Sequence, residues 1–416
     1  MAQQPSAHPK SVLRGHRSQV HITTFIRQNQ RLASGDADGY VVLWDLTIMR
    51  PRAVWRAHDN AILGISAWGD DRLITEGRDN RLIVWKLAEA DEAKLSTALP
   101  LDETVTERPQ PWILFILEIN TMNFCSFAPC PASADIGIDM ISELLVAVPN
   151  TLQTEAVDIF HLPSQSRLNT IHLGDQTEKK GMVMALSLLW LDGALFVIAG
   201  YESGLAIVAR RIDDGNWVIV YRNQAHTQPI LSLAVGLNKE YFLTSGADAI
   251  ITKHPIPWRN QVEASKPGGV EVVTSPLKIL KTGHSGQQSL RIRSDGRIFA
   301  TAGWDTKIRV YSAKTMNELA VLKWHDAGCY AAAFSEVGHV SRANADAASQ
   351  ASPEKGAEPG KVHSSLDTKA TANQVTTLGT VVGELSVKER RIRQAKETHW
   401  LAAGSKDGKI SLWDIY

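Results

Sequence analysis

A fourteen-residue pattern returns four times along this chain, and no other feature restricts the fold as much. Residues 32–45 read LASGDADGYVVLWD, 73–86 LITEGRDNRLIVWK, 299–312 FATAGWDTKIRVYS and 401–414 LAAGSKDGKISLWD. In each, an Asp precedes an aromatic residue by six positions: Asp38 and Trp44, Asp79 and Trp85, Asp305 and Tyr311, Asp407 and Trp413. A His-containing pair stands upstream, at Gly15-His16, Ala57-His58, Gly283-His284 and Trp324-His325, and the first three His lie 17 or 18 positions before Ser34, Thr75 and Thr301.

This is the WD-repeat signature, and it predicts an all-β protein. Two apolar runs, a tight Asp-Gly-type turn and a further alternating strand make a small antiparallel sheet. One such sheet cannot bury both faces alone, so several must stack around an axis as a propeller. In each repeat the His, hydroxyl, Asp and aromatic residues are expected to form a buried hydrogen-bond chain that satisfies their polar groups. That assignment covers His16, Ser34, Asp38 and Trp44; His58, Thr75, Asp79 and Trp85; His284, Thr301, Asp305 and Tyr311; and His325, Asp407 and Trp413.

Spacing gives seven blades, with eight as an alternative. His58 and His226 stand 168 positions apart, room for the second blade and two degenerate ones. One of these is placed around ILFILEI (113–119) and LLVAVP (144–149), the other around MVMALSLLWL, FVIAGYESG and LAIVAR. In the fifth blade His254 stands where the aromatic residue belongs. The last repeat lacks an outer strand, which Ser11–Arg14 is expected to supply, closing a propeller over residues 11–416 behind a flexible 1–10.

His325 and Ala403 are 78 residues apart, far more than a blade needs, so an insertion over about 340–396 interrupts the last blade. Its start, NADAASQASPEKGAEPGK, cannot offset the entropy of ordering and is expected to be disordered. Its tail, VKERRIRQAKE (387–397), could be helical and reads as a solvated charged segment, with nuclear targeting or an acidic partner as the other readings.

Lys+Arg and Asp+Glu both number 44. Without a positive field, phosphate neutralisation cannot supply the bulk of an affinity, which argues against autonomous DNA or RNA binding. Cys125, Cys130 and Cys329 show no CxxC pairing, so neither a disulfide frame nor a Cys-type zinc site is expected. The first ten residues lack an apolar signal core. The longest apolar stretch, Met182 to Gly200, is split by Asp192-Gly193 and reads as two strands, so no membrane span is expected.

His, Ser/Thr and Asp in one repeat invite a hydrolase reading. A catalytic trio occurs once, however, whereas these recur at a fixed period, and no nucleophile elbow, phosphate loop or HExxH motif accompanies them. We therefore assign no catalytic residue, metal ligand or cofactor, and expect no small-molecule substrate. What remains is an interaction scaffold. Residues three and five after each anchor His begin the inner strands and point to the face of the His loops: Gln19 and His21, Ala61 and Leu63, Pro229 and Leu231, Gly328 and Tyr330. Together with Trp304, ahead of the turn Asp305, the candidate partner surface comprises Gln19, His21, Leu63, Leu231, Trp304 and Tyr330. Its mixed, largely uncharged character suits a protein partner.

The segments VLRGHRSQVH (12–21), SGDADGYVVLWDL (34–46), IMRPRAVWRAHDNAILGI (48–65), EGRDNRLIVWKL (76–87) and the closing GSKDGKISLWDIY resemble the fungal ASTRA-associated protein 1 family, itself similar to the animal G-protein β-subunit-like protein 1. The resemblance implies a nuclear, non-enzymatic subunit of the ASTRA complex, its partners the protein subunits of that assembly. It further implies association with chromatin remodelling and with the cochaperone assembly that matures phosphatidylinositol-3-kinase-related kinases. A WD-repeat substrate receptor of a cullin-type ubiquitin ligase, or another generic adaptor, is the alternative. Thr47 stands where the WD-x-Arg of such receptors would have its Arg in the first blade.

Overall fold

A computed structural model describes residues 8–101, 108–122, 124–134, 142–174, 179–258, 272–337 and 385–415. Seven four-stranded antiparallel sheets succeed one another in chain order. Inner strands pack against one another at every blade junction but that of blades 2 and 3, which meet through a shared cluster of Trp68, Ile74 and Val84 with Phe127, Leu144 and Val146, so that the ring is closed. The molecule is a seven-bladed β-propeller.

The apolar runs become strands because adjacent blades cover both faces of each sheet. Second strands are consequently buried along their whole length, as at Arg31–Asp36, Leu144–Pro149, Ile298–Gly303 and Trp400–Ser405. Outer strands border solvent, and Ser166–Ile171 and Glu318–Lys323 are largely exposed.

The ring closes through its two ends. Strand Ser11–Arg14 pairs antiparallel with Lys409–Asp414, with Ser11 opposite Leu412 and Arg14 opposite Lys409. Leu13 is buried in one cluster with Val20, Trp44 and Leu412, so the first strand is fixed by packing as well as by its ladder.

One strand lies in a different blade from the one expected. ILFILEI belongs to Trp112–Glu118, which pairs with Arg81–Lys86 and forms the outer strand of blade 2, not part of blade 3. The intervening residues delay that strand because they carry a 3-10 turn, Glu89–Lys94, anchored to blade 1. The buried Glu92 carboxylate takes Arg27, Arg31 at 3.1 Å and Arg52 at 3.0 Å. Blade 3 starts instead at Ala128–Pro131, and LLVAVP is its second strand.

The expected insertion divides into two parts. Residues 340–384 lie outside the described residues, as do 1–7 of the expected flexible start. Val387–Glu397 is an α-helix, α1, started by a capping box: Ser386 Oγ accepts the Glu389 N–H and Glu389 Oε2 accepts the Ser386 N–H. Its last turn is docked. Ala395 is buried, its carbonyl accepts the Trp400 indole N–H at 3.3 Å, and the Lys396 carbonyl accepts the Asn29 amide at 3.1 Å. The helix thus sits where blades 7 and 1 meet, on the face opposite the His loops.

Candidate functional site

The repeated polar residues lie inside the blades. In blade 2, the Trp85 indole N–H donates to Thr75 Oγ1 at 2.8 Å, Thr75 meets His58 Nε2 at 2.8 Å, and His58 Nδ1 meets Asp79 at 2.9 Å. One proton order satisfies every link: indole to hydroxyl, hydroxyl to Nε2, Nδ1–H to carboxylate. Blade 1 repeats this with Trp44, Ser34 and His16, but the carboxylate is Asp36, 2.7 Å from His16, rather than Asp38. Asp36 is buried at the end of its strand and also accepts the N–H groups of Asp38 and Tyr40, whereas Asp38 is exposed in the turn.

Blade 7 takes its hydroxyl from another strand. Ser411 Oγ accepts the Trp413 indole N–H at 2.8 Å and meets His325 Nε2 at 2.9 Å, with Asp407 3.3 Å from Nδ1. Ser411 stands directly opposite Ala403, the position the pattern reserves for the hydroxyl. Blade 6 departs furthest from the pattern: His284 is partly exposed and 3.9 Å from Asp305. The buried Arg309 instead grips Asp305 through two bonds of 3.1 and 2.6 Å, so His284, Thr301, Asp305 and Tyr311 do not form the expected chain.

Blade 5 extends the chain beyond four groups. Tyr221 meets His254 Nδ1 at 2.7 Å, His254 Nε2 meets Thr244 at 2.8 Å, Thr244 meets His226 at 2.8 Å, and His226 meets Asp248 at 2.8 Å. Burial drives the His254 pKa well below its ordinary value, so its ring is neutral and its single N–H replaces the indole donor. Blade 3 uses an Asn: the Asp158 carboxylate accepts from Asn150 Nδ2 at 2.9 Å and from the Thr170 hydroxyl at 2.6 Å. These imidazoles and carboxylates are held by one another inside the sheets. Among the described residues no three His, Cys, Asp or Glu side chains gather as a metal site.

The surface residues have a different geometric origin. Six inner strands carry a register shift at the same place, skipping His21, Leu63, Met184, Leu231, Gln288 and Tyr330. A β-bulge re-aims the extra side chain. Here all six line a central cavity of about 750 Å³, together with Gln19, Trp304 and Phe124. All six residues of the candidate partner surface thus border one channel mouth, whereas Ala61, Pro229 and Gly328 do not line it. The anchor-plus-five rule misses Met184, because blade 4 has no anchor His, and Gln288, because blade 6 has one residue fewer. The bulge position itself would have identified both.

The mouth is aromatic and mostly uncharged. Trp304 is 46% exposed, and its indole N–H donates to Gln288 Oε1 at 2.9 Å. Its ring lies over Gly286, where a Cβ would come within 2.1 Å of it and where φ is +72°. Only glycine admits that stack. Phe124 is 52% exposed beneath the Arg78 guanidinium, 4.4 Å from its ring centre. Tyr330 meets His21 edge to face at 6.0 Å, and burial keeps His21 below its ordinary pKa.

A channel mouth rimmed by bulged residues, with its repeat-forming polar groups engaged inside the blades, defines a seven-bladed propeller of WD-type repeats. A family model for ASTRA-associated protein 1 matches residues 9–413. The ASTRA-associated protein 1 of Verticillium alfalfae is 52% identical over 98% of this chain and 93% of its own length. That of Pyricularia oryzae is 46% identical over 99% and 97%, and that of Schizosaccharomyces pombe 34% identical over 78% and 93%. The chain belongs to the ASTRA-associated protein 1 family.

Proposed function

We propose that this chain is a non-catalytic scaffold subunit of the ASTRA complex in the nucleus. In this reading it takes part in chromatin remodelling and in the cochaperone-linked maturation of phosphatidylinositol-3-kinase-related kinases, through contacts with protein subunits rather than with nucleic acid. The observation that carries the reading is the family match along nearly the whole propeller. It is supported by the engagement of the recurring His and carboxylate groups of blades 1, 2, 5 and 7 inside the sheets, which gives them a structural task. The apolar, aromatic mouth suits a protein surface better than a phosphate backbone.

Within this reading Gln19, His21, Leu63, Leu231, Trp304 and Tyr330 form the partner surface, with Trp304 as its anchor. The test is purification of tagged full-length chain from nuclear extract, with mass spectrometry, beside Trp304→Ala. Subunits of ASTRA should accompany the wild type, and the variant should lose association by roughly 2 kcal/mol while melting as before. Absence of those subunits overturns the ASTRA reading. Undiminished association, or a large fall in melting temperature, removes Trp304 from the surface.

A further inference from the structure

Inside the channel stands a cation without a counter-ion. Arg291 lies on the inner strand of blade 6, three residues beyond the bulged Gln288, about 10 Å further along at 3.3 Å per residue. It lines the central cavity, whose wall otherwise carries neither Asp, Glu, Lys nor another Arg among the described residues. One guanidinium nitrogen, Nη1, donates to the Leu290 carbonyl at 2.8 Å and to Ser232 Oγ at 3.3 Å. The other N–H groups make no hydrogen bond among the described residues.

Three other arginines of the propeller are more deeply buried, and each is paired. Arg31 has Glu92, Arg293 has Asp295 at 2.6 Å, and Arg309 has Asp305 at 2.6 Å. Withdrawing a charge from water is costly unless an opposite charge meets it. Burial pulls the Arg291 pKa below its ordinary value, and no carboxylate raises it again. An arginine held in that state, with free donors facing a channel, is suited to an anion arriving from outside.

We infer that the channel receives an acidic side chain of a partner protein: a short peptide segment inserts an Asp or Glu carboxylate against Arg291 while its apolar neighbours cover Trp304, Phe124 and Leu63. A single guanidinium matches one carboxylate, whereas a phosphate dianion would find no second cation in the wall. The cavity volume lies within the range of about 300–1,000 Å³ typical of ligand sites, and the exposed aromatic rim supplies the apolar contact a peptide needs. The inference deepens the scaffold reading above and rests on it.

The test is a selection on the purified full chain from random twelve-residue peptides displayed at the N-terminus of a phage coat protein, where no peptide C-terminus is free. Enriched peptides should carry an Asp or Glu beside Leu, Phe or Met. In titrations with the synthetic peptides, changing that acid to its amide should weaken binding to the wild type by at least about tenfold. The same change should have little effect on Arg291→Met, while Arg291→Lys should retain part of the preference. Melting of Arg291→Met should be unchanged or raised, since an unpaired charge is removed. Failure to enrich peptides, enrichment without acidic residues, or equal affinity of acid and amide for the wild type would each overturn the inference. The selection uses the isolated chain, so its outcome is separate from whether ASTRA subunits co-purify.

Discussion

At the scale of single residues, the buried chains show how much freedom a repeat leaves to side chains. What blade 1 requires is a carboxylate beside His16 Nδ1, and Asp36 reaches that point from the strand end while Asp38 turns outward. Asp36→Ala should therefore cost about 1–3 kcal/mol, because His16 and two turn N–H groups lose their acceptor. Asp38→Ala should stay within about 0.5 kcal/mol. Thermal melts of the two variants separate the roles. Glu76 offers a second test. Its buried carboxyl is pushed up to about 8, chiefly by burial, against which only the Phe127 N–H acts. A carboxyl with a raised folded pKa contributes stability below its unfolded pKa, near 4.3, and that contribution is lost as pH rises to about 8. Stability should decline across this window by up to about 1.4 kcal/mol per pH unit. Glu76→Gln should remove the decline, gaining on the wild type at pH 8.5 and little at pH 4.5. Parallel alkaline melting curves would contradict the assignment.

At the scale of elements, the bulge near the start of six inner strands turns a structural repeat into a surface. Without it, His21, Leu63, Leu231 and Tyr330 would each take a ladder position and the channel mouth would lose their side chains. The charged tail of the insertion is also an element in its own right: α1 presents Lys388, Arg390, Arg391 and Arg393 to solvent but fixes its final turn through Ala395 and Lys396. Replacing residues 342–384 by a short Gly/Ser linker should leave melting unchanged, because the entropy of closing a connection depends only weakly on its length. Extending the replacement to residue 395 should lower it, since the Trp400 indole loses its carbonyl acceptor and the buried Ala395 side chain is removed. Equal melting of the two deletions would show that the docked turn contributes nothing.

At the scale of the whole molecule, closure holds the seven blades as one ring. Deleting residues 1–14 removes Leu13 from its cluster and leaves Lys409–Asp414 with an unpaired edge. Melting should fall and light scattering rise, since such edges template aggregation; unchanged behaviour would refute closure by this strand. The blade period, the pairing of the two ends and the mouth positions of Gln19, Tyr330 and Trp304 were legible in the sequence, because they depend on local alternation and fixed spacing. Strand Trp112–Glu118 was not, because an anchored turn lengthened one loop and shifted the count into the next blade. Asp36, Ser411 and Arg309 escaped for a related reason: a hydrogen bond needs an atom at a point in space, and a residue two places away or on the facing strand can supply it. Linear order thus determined the period of the chain, which is a property of the backbone. Only the packed ring decided which side chain fills each polar position and left Arg291 unpaired, because both depend on residues far apart in sequence meeting across sheets.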